Sequence, residues 1–198
     1  MTVAVLTVDQ RRSRTEPDRV PQMIDRMAGV PLDRPLQRTV GDEFQAVLTD
    51  PASLPLVLEP LLRDGGWHVG LGFGEVERPL PDSTRAGRGP AFVAAREAVT
   101  AAKNSPWHLR LAGDRPGVRP LESAIWLWAA VLARRTKNGW EVADLVDEGL
   151  TYEEAGRRLG ISQSAVSQRA QAAGIVEGRR ARELVGYLAG QLLDEADR

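Results

Sequence analysis

The stretch Thr151-Tyr152-Glu153-Glu154-Ala155-Gly156-Arg157-Arg158-Leu159-Gly160-Ile161-Ser162-Gln163-Ser164-Ala165-Val166-Ser167-Gln168-Arg169 constrains the chain more than any other. Thr151 is an N-cap residue with Glu154 three positions on, the spacing of a capping box that satisfies orphan N–H groups at a helix start. Gly160 follows Leu159, where a left-handed residue ends a helix sharply, and Ser162 is placed to cap a second helix. Ala155 is small enough for two helices to cross closely, Ile161 is the apolar residue of the turn, and Val166 and Ala170 point inward four residues apart. Val142, Leu145, Val146 and Leu150 supply a supporting helix before them. The pattern predicts a tri-helical unit containing a helix-turn-helix.

The second helix leaves Gln163, Ser164, Ser167, Gln168 and Gln171 on one exposed face, with Ser162 at its start. Amides and hydroxyls without acidic neighbours suit base edges: Gln pairs bidentately with adenine, and Ser bonds either donors or acceptors. Arg169 at the flank, and Arg179 and Arg180 in the run that opens the next helix, are the expected phosphate contacts. Double-stranded DNA is therefore the expected partner. Charge argues the other way. The whole chain carries a net charge of −1, and residues 139–198 hold 7 Arg and no Lys against 11 Asp and Glu, a net of −4. Affinity must come from local arrangement, and two copies acting together are expected. The segment resembles sigma-factor region 4 and related bacterial regulators.

Composition narrows the remaining classes. There is no cysteine, which excludes disulfides, thiol nucleophiles and cysteine-ligated metals, and only two histidines stand in 198 residues. The apolar run 124–133 is about half of the roughly 20 residues a bilayer span requires. The opening Met1-Thr2-Val3-Ala4-Val5-Leu6 lacks the basic region of a signal peptide. A cytoplasmic location without membrane contact is expected.

In the N-terminal part, residues 3–8 read as a buried strand, 19–28 as a helix, 36–40 and 44–48 as a hairpin around Gly41-Asp42-Glu43, and 51–63 as a leucine-rich helix. Residues 67–76 read as a strand with glycines at 70, 72 and 74, an alternation that invites close approach of another backbone or a ligand. Residues 77–88 read as a polar loop, the best candidate for disorder in this part, followed by an alanine-rich helix over 90–103 and a strand over 107–111. The Trp-His pairs 67–68 and 107–108 then fall on strands as half-buried aromatics. The βαββαβ core of this order is the ferredoxin-like, cyclase-like plan, so the fold class is α+β followed by an all-α helix-turn-helix domain. The expected segments are 1–118, a connecting helix in 119–137, and 138–198. Trp126 and Trp128 cannot share a helix face, so one is expected to pack on each neighbouring domain. A last helix over 180–196 carries a stripe of Leu184, Val185, Leu188, Leu192 and Leu193 that could cover the core or form a dimer seam.

Asp9 ends the first strand and Asp42 sits at the hairpin, where two carboxylates can converge on Mg²⁺ with nucleotide phosphates completing its shell. Taken as residues alone, Asp9 can equally be a strand end and Asp42-Glu43 a turn. Val8-Asp9 through Ser13-Arg14, Gly41-Asp42-Glu43-Phe44-Gln45, the glycine strand, and Gly89-Pro90-Ala91-Phe92-Val93-Ala94-Ala95-Arg96 together resemble the SatD family of bacterial proteins. More distantly, the N-terminal part is similar to class III nucleotidyl cyclase domains, and the hairpin resembles that of diguanylate cyclases. The cyclase resemblance implies metal binding by Asp9 and Asp42. It places Arg38 where a base-selecting lysine stands and matches Arg96 to a phosphate-contacting arginine. Phe92 replaces the ribose-orienting asparagine, which points away from catalysis and toward a pocket kept as a nucleotide sensor. Three readings follow: a transcription regulator with a nucleotide-binding domain, a Mg²⁺-dependent nucleotide-processing enzyme, and a C-terminal module for protein contacts, such as with RNA polymerase.

Overall fold

The computed structural model describes residues 2–194. Contacts divide the chain into two units, one made of residues up to 126 together with those from 184 onward, the other of Leu127–Glu183. The divisions fall inside two long helices. The expected segments 1–118, 119–137 and 138–198 are therefore cut differently, and the end of the last segment and of the expected 180–196 helix lies outside the described residues.

The first unit is built on a five-stranded sheet of order β2-β3-β1-β4-β5. The strands are β1 (Val3–Gln10), β2 (Arg34–Arg38), β3 (Glu43–Leu48), β4 (Trp67–Gly74) and β5 (Leu109–Ala112). Neighbours pair antiparallel except β4 with β5, which run parallel. Interleaved helices are α1 (Val20–Arg26), α2 (Ser53–Asp64) and α3 (Pro90–Ala102).

The two faces of β4 explain where the helices go. A strand alternates its side chains between faces, so Trp67, Val69, Leu71 and Phe73 fill one side, all buried, and glycines occupy the other. A Cβ on Gly70 would lie 2.3 Å from the Val99 backbone nitrogen, and one on Gly72 2.2 Å from the Ala91 carbonyl oxygen. The glycines thus admit another backbone, that of α3. Val3 and Val5 of β1, which pair with Gly74 and Gly72, pack with Ala91, Phe92 and Ala95 on this face. The opposite face is left for α2, with buried Leu54, Val57, Leu58 and Leu61, and for α1, whose N-cap Arg19 stacks over the Trp67 ring at 5.4 Å.

Unpaired strand edges invite aggregation and are covered in native folds. The loop over residues 77–88, expected to lack order, lies along β2. Arg34 donates to the Pro81 and Leu80 carbonyls at 2.7 and 2.9 Å, and the Gln37 amide oxygen accepts from Thr84 N–H at 2.8 Å. At the other edge, helix α4 (Val118–Leu132) supplies Glu122, which accepts from Leu111 N–H at 2.7 Å, and Trp126, whose indole donates to the Leu109 carbonyl at 3.2 Å. Trp128, on the second unit's side of the division, is buried. The expected strand over 107–111 begins two residues later, because His108 takes a left-handed conformation, φ 50°.

The second unit contains α5 (Lys137–Asp147), α6 (Tyr152–Leu159) and α7 (Gln163–Ala172), and helix α8 (Ile175–Asp194) begins in it. Its core joins Val142, Ala143, Leu145, Ala155, Val166, Ala170, Ala173 and Ile175. Farther along α8, Val185, Ala189, Leu192 and Leu193 are buried and group with the first unit, where Leu192 reaches Gly117. Of the expected stripe, only Leu184 is exposed. Among the described residues no helix is long and apolar enough to cross a membrane.

Candidate functional site

Two sites are defined, one in each unit. In the second unit the local geometry of α6 and α7 follows from the residues that fix their ends. Thr151 Oγ1 accepts from Glu154 N–H, and the Glu154 carboxylate accepts from Thr151 N–H at 2.8 Å, both halves of the capping box. Gly160 ends α6 at φ 67°, ψ 31°, a conformation disfavoured for residues with a Cβ. Ser162 Oγ accepts from Ala165 N–H at 3.1 Å and so caps α7. Gly156 lets the turn close: a Cβ there would lie 2.8 Å from the Ile161 carbonyl.

With Val166 and Ala170 turned into the core, Gln163, Ser164, Ser167, Gln168 and Gln171 stand exposed, and Arg169 is half-buried. No acidic residue occurs in α7. Two of the three arginines expected at phosphates also have partners in the protein. Arg179 donates to the Val146 carbonyl at 3.2 Å and lies 3.6 Å from Asp147, holding the end of α5; Arg180 pairs with Glu183 at 3.0 Å.

In the first unit, the strand ends around Asp9 form a cleft of about 460 Å³. Asp9 and Asp42 both line it, and their carboxyl groups hydrogen-bond each other. Arg11, Arg12, Ser13, Arg14, His68 and Lys103 complete most of the wall. Lys103 Nζ sits 2.8 Å from Asp9 Oδ2. Burial pushes the Asp9 carboxyl above its usual range, Lys103 opposes that, and the Asp42 charge adds to it. Burial also works upward on Asp42, but the Ser13 hydroxyl, its own backbone N–H and the hydrogen bond from Asp9 outweigh it and hold Asp42 low. His68 is lowered to about 4, first by burial and then by His108, Arg11 and Lys103. Its ring meets His108 edge-on at 5.1 Å.

The β1–α1 loop is held in place by Gln10. Its amide donates to the Pro17 carbonyl at 2.8 Å and accepts from Arg19 N–H at 2.8 Å. Within the loop Arg12 adopts φ 56°, and its carbonyl accepts from the N–H groups of Thr15 and Glu16 at 2.9 Å each.

Asp9 and Asp42 are thus brought together, whereas Arg38 and Arg96 do not line the cleft. Arg38 turns to Asp18, 2.6 Å away, and to the Gly41 carbonyl. Arg96 is exposed on α3. Phe92 packs with Val3, Val5 and Val47 in the core. Sequence reasoning overlooked Lys103. It is the C-cap of α3, and no local pattern in the sequence marks it.

Residues 130–173 match the family model described as Sigma-70, region 4. The match covers α5, α6 and α7 entirely, and the chain carries a DNA-binding helix-turn-helix there. No curated protein and no solved structure matches the chain.

Proposed function

We propose that this chain is a transcription regulator that reads operator DNA with α7 and binds a small phosphorylated ligand, such as a nucleotide, in its first unit. The observation that carries the first half is the helix-turn-helix with its acid-free Gln/Ser face inside the matched segment. The second half is supported by the cleft where Asp9 and Asp42 converge, and by the antiparallel order β2-β3-β1-β4, which suits the ferredoxin-like, cyclase-like reading. Two copies act on DNA together, and ligand occupancy shifts the balance between DNA-competent and incompetent states.

Alanine substitutions test the reading surface. Replacing Gln163, Ser167 and Gln168 removes hydrogen bonds to base edges and lowers the preference for the operator over unrelated DNA by about 1–3 kcal/mol for each side chain that reads a base. Replacing Arg169 weakens binding to both DNAs alike and reduces the salt slope by about 1. Unchanged preference in the first variant contradicts the assignment of α7; protein capture of RNA polymerase by that unaffected variant would favour the protein-contact reading instead.

The second reading, a Mg²⁺-dependent nucleotide-processing enzyme, is favoured by the convergence of Asp9 and Asp42 and opposed by Phe92, which is committed to the core. Turnover of a nucleoside triphosphate that disappears in Asp42→Ala would establish it; no turnover by the wild type removes it.

A further inference from the structure

A divalent ion shared by Asp9 and Asp42 is what the cyclase resemblance implies, and the donor set of the cleft does not fit one. The two carboxyl groups hydrogen-bond each other, and one of them already faces an ammonium, Lys103 Nζ at 2.8 Å from Asp9. Charge leads the same way. The lining holds four cationic side chains, Arg11, Arg12, Arg14 and Lys103, against the two carboxyl groups; Glu16, outside the lining, lies 3.6 Å from Arg12 and leaves the balance still cationic, and His68 is neutral at neutral pH. A cleft with that excess repels a divalent cation and draws in an anion.

We propose that the cleft binds the phosphate groups of a small ligand directly, with the Lys103 ammonium standing in place of a divalent ion. The inference rests on reading the first unit as ligand-binding and changes the cation that does the work. An ammonium has three donors on a flexible stem, so Lys103 can hold Asp9 with one N–H and offer the others to a phosphate oxygen. The arginines of the β1–α1 loop supply planar forks suited to further phosphate oxygens. The loop is preorganised for this: Gln10 clamps its far end, and Arg12 is held left-handed by two hydrogen bonds to its carbonyl.

Isothermal titration of the full chain with sodium pyrophosphate, once in EDTA and once in Mg²⁺, tests the proposal. Pyrophosphate binds in EDTA at least as tightly as in Mg²⁺. Lys103→Met weakens it by about tenfold or more, the effect of removing one charge-assisted hydrogen bond, while Lys103→Arg stays within about threefold. Matched thermal melts exclude misfolding of these variants. Asp9→Asn separates the two mechanisms by sign, because it abolishes binding through a bridging metal but tightens binding through Lys103 by removing a competing anion. Binding seen only with Mg²⁺, unchanged affinity in Lys103→Met, or abolition by Asp9→Asn overturns the inference and leaves the ligand-binding reading standing. Absence of pyrophosphate binding in both buffers also overturns the inference. The broader reading falls only if, in addition, a panel of nucleotides raises no melting temperature.

Discussion

Gly70 and Gly72 carry the tightest steric demand made by backbone in the first unit, because the α3 backbone lies where their Cβ atoms would be. Gly72→Ala is expected to cost about 3 kcal/mol or more, since neither backbone can yield without shifting the sheet or the helix. Gly29→Ala, with nothing within 4 Å, is the control and should leave the melting temperature unchanged. The glycine alternation made this close approach legible in the sequence, and it also left open whether a backbone or a ligand filled the space. His68 was harder to read. Its place opposite Asp9, beside His108, Arg11 and Lys103, depends on three separate segments meeting. Its folded-state value near 4 lies below the ordinary 6.5, so the unfolded chain binds a proton that the fold refuses between these values. Stability is therefore present above pH 6.5 and falls as pH drops through the window. His108 is shifted the same way, by burial and Arg11. Thermal melts between pH 7 and 5 should show this decline, and His68→Gln should flatten it.

At the scale of elements, the ends of α6 and α7 were the most readable part of the chain. Capping is local, so Thr151, Glu154, Gly160 and Ser162 announce it in sequence order. Thr151→Ala should cost about 1 kcal/mol, the usual worth of an N-cap, read as a lower denaturation midpoint with an unchanged slope. The β5 boundary was misplaced because the left-handed backbone at His108 belongs to the turn after α3, not to strand propensity. The Pro, Asp and Ser content of the loop over 77–88 speaks for disorder. Its order comes from outside, from Arg34 and Gln37 of β2. Lys103 was overlooked for the same kind of reason. Its partner Asp9 is 94 positions earlier, and only the packing of α3 across β1 and β4 brings the two together.

At the scale of the whole molecule, the division of the chain changes the electrostatic argument. Counting from residue 139 to the end gives the net of −4 that speaks against DNA, but Leu127–Glu183 holds nine Arg and Lys against eight Asp and Glu. Leaving out the residues beyond 183 reduces the deficit to −2, and Arg134, Arg135 and Lys137, which belong to the same unit, turn it into a slight positive charge. That assignment was not legible, because one continuous helix, α8, contributes to both units. It predicts that truncation after Glu183 damages the first unit, which loses buried Val185, Leu192 and Leu193, at a cost of about 5 kcal/mol by apolar burial. Hydrogen exchange should then show faster opening of the sheet and unchanged protection in α6 and α7.

The central claim is that α7 reads DNA sequence. Fluorescence anisotropy of the full chain on the DNA upstream of its own coding region, with a scrambled fragment of equal composition as competitor and salt varied, tests it most directly. The account predicts preference for the upstream fragment by at least about a hundredfold, with affinity falling as salt rises. Equal binding to both fragments, or none to either, would contradict it.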